Sequence, residues 1–159
     1  MKLAIAMVYF LLLGFSPMDS LAGTAINTIG TTDGVAIKGY DTVAFFTQKK
    51  AIIGTPEFTH EWAGAKWFFV SDEHLQTFKQ NPEQWAPQYG GHCALGMSEG
   101  YISQKPTSGE FEVMDGKLYL FPAGDHRGSA YSAWRRYAKF NIPAGGKNWP
   151  ALKEKLEAK

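Results

Sequence analysis

A thiol, a thioether and an imidazole lie in one short run, His92-Cys93-Ala94-Leu95-Gly96-Met97, and Cys93 is the only cysteine of the chain. On a helix Cys93 and Met97, four positions apart, share a face. His92 stands about 100° round from Cys93 on a regular helix, and it converges with Met97 only where the helix begins at that point. Thiolate, thioether and imidazole form a soft donor set suited to Cu(I) rather than to Zn(II), which usually takes four closed ligands in a structural site. A second reading makes Cys93 and Met97 core side chains beneath the Gly90-Gly91 turn, since cysteine is among the most buried residue types. A third makes Cys93 a nucleophile with His92 as its base. Sequence neighbours rarely place a base correctly against a nucleophile, and no third, orienting group is evident.

The other histidines are weaker candidates. His60 and His74 fall on the apolar faces of their elements, the usual position of a hydrogen-bonded core histidine. His126 lies in the Gly124-Asp125-His126-Arg127 turn and is expected to be exposed, with Asp125 beside it. Gly145-Gly146-Lys147 resembles a phosphate loop only faintly. It lacks the hydroxyl residue after lysine and the upstream glycine, and reads as a flexible linker. No GxSxG, HExxH, CxxC or CxxCH is present, so hydrolase-elbow, zincin, thioredoxin-like and c-type haem chemistry have no sequence support.

These side chains must be positioned by a chain of 159 residues, 45% hydrophobic and 19% charged, a globular composition sized for one domain. With 16 basic and 15 acidic residues the net charge is +1, too little for a broad field against polyphosphate, and no nucleic-acid partner is expected. At the N-terminus Lys2 precedes an apolar run, Leu3 to Phe15, and Ser20-Leu21-Ala22 sets small residues at −3 and −1 of a cleavage site. Residues 1–22 are therefore expected to be a secretory signal. The run is shorter than the roughly 20 residues a bilayer span needs. No stable membrane anchor is expected after cleavage, and the location is expected to be periplasmic or secreted. A lone cysteine forbids an intrachain disulfide.

Residues 23–34, rich in Gly, Thr and Asn, are expected to be a flexible lead-in. Val35 to Ile37 is expected to be a short strand. Asp41 is placed to cap a helix over 42–47. Glu57 to Ala63 alternates, with Phe58, His60 and Trp62 on one face, and turns into a second strand over 66–70. Ser71 caps a helix to about Gln80, and Asn81-Pro82 opens another. A short helix is expected over 92–98. Asp115-Gly116 marks a hairpin between strands 110–114 and 117–121. A helix over 129–140 is separated by 141–147 from a final amphipathic helix beginning near Pro150. The order of elements predicts an α+β fold, a small single domain of antiparallel β-hairpins packed with several short helices.

Several stretches have a family likeness. Gly39-Tyr40-Asp41-Thr42-Val43-Ala44-Phe45-Phe46 resembles the GYDPVAYF signature of YHS-domain proteins. Pro56-Glu57-Phe58 through Trp62 to Gly64-Ala65-Lys66-Trp67-Phe68-Phe69 is similar to their PEF…W-x-GAKWYF hairpin. The run from Asn81-Pro82-Glu83 to Tyr89-Gly90-Gly91-His92-Cys93-Ala94 resembles their NPExYAPQYGGYCA segment. The resemblance spans about residues 35–120, in order. It implies a YHS-like domain over 35–159 with a C-terminal helical extension. YHS domains are related to small metal-handling modules whose cysteines occur in DPVCGM and YFCS…C segments. This chain departs at each of the three: Ala44, Val70 and His74 stand in their places. Of these only His74 retains a donor.

The signal segment, the soft donor set and the resemblance together predict an exported metal-binding or metal-handling protein, with copper the expected ion and Cys93, His74, Met97 and His92 the candidate ligands, although the resemblance does not settle the role of Cys93. The alternative is a module binding a small non-metal ligand or a protein through its aromatic surface, with Cys93 structural. Enzymatic activity is the least supported reading.

Overall fold

The computed structural model describes residues 24–107, 109–123 and 129–159. The signal segment and the His126 turn lie outside the described residues. Asp41 caps α1 (Thr42–Thr47) as its position predicts, its Oδ1 accepting from the amides of Val43 at 2.9 Å and Ala44 at 3.2 Å. Strands β1 (Thr55–Trp62) and β2 (Ala65–Phe69) pair antiparallel, with His60 opposite Trp67 and Trp62 opposite Ala65. The turn between them, Ala63-Gly64, has positive φ at both residues, the hairpin geometry that matches strand twist. Ser71 caps α2 (Asp72–Gln80) by accepting from the His74 amide, and Pro82 opens α3 (Pro82–Trp85). A 3-10 turn, Gln88–Gly91, leads into α4 (Ala94–Glu99). The second hairpin, β3 (Glu110–Met114) and β4 (Lys117–Phe121), closes on Asp115-Gly116 as expected. Helices α5 (Ala130–Arg136) and α6 (Ala138–Glu157) complete the α+β fold. Among the described residues no helix is long and apolar enough to cross a membrane.

Two apolar clusters form the core, and β4 lies between them. Leu118 and Leu120 join the first cluster, with Trp67, Phe69 and Phe78. Tyr119 and Phe121 join the second, with Cys93, Met97 and Trp134. Alternate side chains of a strand point to opposite faces, so a strand buried on both faces serves two cores at once. Phe78 is the hub of the first, its ring in contact with His60, Trp62, Trp67 and Phe69.

Several segments depart from the sequence expectation, among them the helix expected over 129–140, which breaks at Tyr137 into α5 and α6. Val35–Ile37 forms no strand: Val35 makes one parallel bridge to Lys66, and Ala36–Gly39 is a 3-10 turn with Ile37 and Lys38 in the left-handed region (φ 43° and 56°). A β-branched residue rarely sits there. Ile37 is held in place by burial and by its amide donating to the Asn27 carbonyl at 2.7 Å. Part of the lead-in packs against the core. Ala25, Ile26 and Asn27 are buried, and the Asn27 amide donates to the Gly90 carbonyl at 2.8 Å. Gly145-Gly146-Lys147 is not a linker but part of α6, which runs unbroken through Pro143 and Pro150. Tertiary contact overrides propensity here. A Cβ on Gly145 would fall 2.5 Å from the Tyr89 hydroxyl, and the Asn148 side chain donates to the carbonyls of Met97 and Ser98.

Candidate functional site

His74 stands on the first turn of α2. Its Nδ1 lies 2.7 Å from Oδ2 of Asp41, a carboxylate with no exposed surface. The Val70 amide donates to the same oxygen at 2.9 Å. Asp41 thus gathers three backbone amides and one imidazole, and knits α1, the end of β2 and α2 together. His74 occupies a structural corner beside the first cluster, to which Leu75 and Phe78 of its own helix belong.

Cys93 and Met97 belong to the second cluster instead. Helix α4 begins later than expected, with Cys93 at its N-cap and His92 extended ahead of it. The Met97 amide donates to the Cys93 carbonyl at 3.0 Å, so the two residues are one helical turn apart. Cys93 is a free, buried thiol. Burial pushes its pKa up, and the nearby amides of Gly96 and Leu95 oppose this only in part. His92 is only 2% exposed, and the Ala25 carbonyl acts on its ring. Desolvation lowers its pKa to about 4, with the Ala25 carbonyl tempering the shift and Lys159 adding to it. His60, set against the edge of Phe78 with ring centroids 6.2 Å apart, is an aromatic-packing residue. Among the described residues no three His, Cys, Asp or Glu side chains gather into a metal-binding group.

A recess lies elsewhere. A cleft of about 640 Å³ opens between the Tyr89-Gly90 turn, the packed lead-in at Thr24–Ile26, the hairpin turn at Trp62–Gly64 and one face of α6. Trp149, Lys153 and Glu157 recur at four-residue intervals, which puts all three on that face. Glu83 on α3 contributes a second carboxylate. The rings of Tyr89 and Trp149 meet edge to face at 6.0 Å. Tyr89 donates its hydroxyl proton to the Ile142 carbonyl at 3.3 Å, and burial first, then Tyr119, raises its pKa to about 12. It therefore stays neutral. Lys153 and Glu157 pair at 3.6 Å, both about half exposed, so the pair is easily opened by a competing ligand.

No family model, curated protein or solved structure matches the chain. The site is therefore read from its own residues. Sequence reasoning passed over the cleft because its walls come from five separate segments. Only the Trp149, Lys153, Glu157 spacing carried a local signal of it.

Proposed function

We propose that this protein is an exported binding module of YHS-like character that holds a small organic ligand in the cleft beside the Tyr89-Gly90 turn. The observation carrying this reading is the cleft itself, at about 640 Å³ within the roughly 300–1,000 Å³ usual for small-molecule sites. Trp62, Tyr89 and Trp149 supply aromatic surface, while Glu83 and Glu157 against Lys153 leave one net negative charge. That lining favours a ligand with a planar or apolar body and an amine, because aromatic faces and carboxylates both attract cations. The resemblance over residues 35–120 supports placing the module among YHS-like domains. Calorimetric titration with aromatic and aliphatic amines tests it: binding by at least one aromatic amine is expected, abolished in Trp149→Ala and weakened in Glu157→Gln. Absence of binding across both series rejects the reading.

A second reading keeps copper as cargo. What favours it is the burial of His92 directly beside Cys93, which itself lies one helical turn from Met97. Cys93, Met97 and His92 would be the donors, while His74 is already engaged through Nδ1 by Asp41. Anaerobic Cu(I) titration is expected to show one equivalent bound, lost in Cys93→Ser and unaffected by His74→Ala. Equal binding in Cys93→Ser eliminates this site.

A further inference from the structure

The net charge of +1 conceals a local imbalance. From Ala130 to Lys153 the sequence contains no aspartate or glutamate, yet it includes Arg135, Arg136, Lys139 and Lys147. Arg135 is drawn to Glu112 at 3.4 Å. Arg136, Lys139 and Lys147 are exposed. Between them stand two of the most exposed large apolar side chains, Tyr137 at 55% and Phe140 at 63%. Lys139, Phe140, Pro143 and Lys147 fall within about 100° of the circumference of α6, opposite the face that buries Gly145 and Leu152. The Lys139 ammonium sits 4.9 Å from the centre of the Phe140 ring, so charge and aromatic surface are presented together.

We propose that this face, from Arg136 to Lys147, docks reversibly on an anionic lipid bilayer. Cations flanking exposed aromatic rings are the combination that interfacial helices use, the rings entering the headgroup layer and the basic side chains meeting lipid phosphate. Lys139 and Lys147, eight residues apart, span about 12 Å of helix, enough to engage more than one headgroup. The inference is independent of the cleft, which lies on other residues.

Co-sedimentation of the processed chain with vesicles tests it, since the apolar run at 3–15 of an unprocessed chain would partition by itself. Binding is expected to phosphatidylglycerol-containing vesicles and not to pure phosphatidylcholine, and to be lost in 1 M salt, where screening reaches about 3 Å. Replacing Arg136, Lys139 and Lys147 together by Gln is expected to weaken partitioning about a hundredfold, roughly fivefold per cation. Tyr137→Ser with Phe140→Ser is expected to weaken it as well. These side chains are exposed, so circular dichroism should show both variants folded. No binding to anionic vesicles, equal binding to neutral ones, or binding unchanged in both variants overturns the proposal. So does a short single-stranded DNA that binds more tightly than the vesicles and displaces the protein from them, which would make the face a nucleic-acid interface.

Discussion

The imidazole of His74 and the carboxylate of Asp41, 33 residues apart in sequence, meet at 2.7 Å in a site from which Asp41 is wholly withdrawn from solvent. The pair joins the cap of α1 to the first turn of α2. Removing the ring leaves Oδ2 with the Val70 amide as its partner. His74→Ala is expected to cost about 1.5–3 kcal/mol, the usual range for losing a hydrogen bond to a charged group. Asp41→Ala is expected to cost more, about 3–5 kcal/mol, because four donors lose their acceptor. Urea unfolding of the two variants and their double mutant gives the coupling energy. A cycle that closes to zero would show that the contact is not energetically real.

His92 should make the fold acid-sensitive. Its imidazole titrates near 6.5 when unfolded and at about 4 when folded. Above pH 6.5 both states are neutral and the ring adds nothing to pH dependence. As pH falls from 6.5 to 4 the unfolded chain takes up a proton that the folded chain refuses, so stability declines, and below 4 the loss levels off. The full loss is about 3 kcal/mol. Comparing wild type with His92→Leu removes the contribution of other titrating groups. The difference in unfolding free energy between the two should shift by about this amount between pH 7 and pH 4. A constant difference would mean that the ring reaches solvent when protonated.

Cys93 should be unreactive in the native state. Its thiol is buried, and its raised pKa keeps the thiolate scarce at neutral pH. Labelling with a thiol-disulfide reagent is expected to be more than about a hundredfold slower in native buffer than in denaturant. Comparable rates would reveal an accessible nucleophile.

Gly90 should tolerate no side chain. Its φ is +60°, and a Cβ built there would stand 2.2 Å from the Ala25 carbonyl oxygen. Gly90→Ala combines left-handed strain with a backbone clash and is expected to destabilise by about 2–4 kcal/mol. It should also loosen the lead-in, read as faster amide exchange at Asn27. Unaltered exchange there would show that the turn accommodates the methyl without releasing the segment.

Local chemistry made much of the fold legible. The caps at Asp41 and Ser71 and the Asp115-Gly116 turn are each decided by neighbouring residues, and each forms where expected. The expected alternation of β1 fails at Thr59, which is half-buried, next to an irregularity in the pairing between Thr55 and Thr59. What could not be read depends on partners far along the chain. α6 persists through two prolines and two glycines because α4 and Tyr89 pack against it. Ile37 accepts a left-handed backbone because Asn27 and the core hold it. For the candidate site, the burial of Cys93 and Met97 was an open alternative in their spacing, whereas the engagement of His74 by Asp41 was not visible in either residue's surroundings. The cleft, built from several distant segments, left almost no trace.

The cleft is walled on one side by Thr24 to Ile26 and on another by Trp149, Lys153 and Glu157, so a segment early in the sequence and the last helix face each other across it. An occupant touching both walls would act as a clasp, closing the intervening polypeptide into a ring without a covalent bond. The entropy of bringing such distant segments together is already met by the fold, so the clasp would oppose opening rather than drive assembly. With the clasp in place, neither Thr24 to Ile26 nor the last turns of α6 could separate from the other wall until the occupant had left.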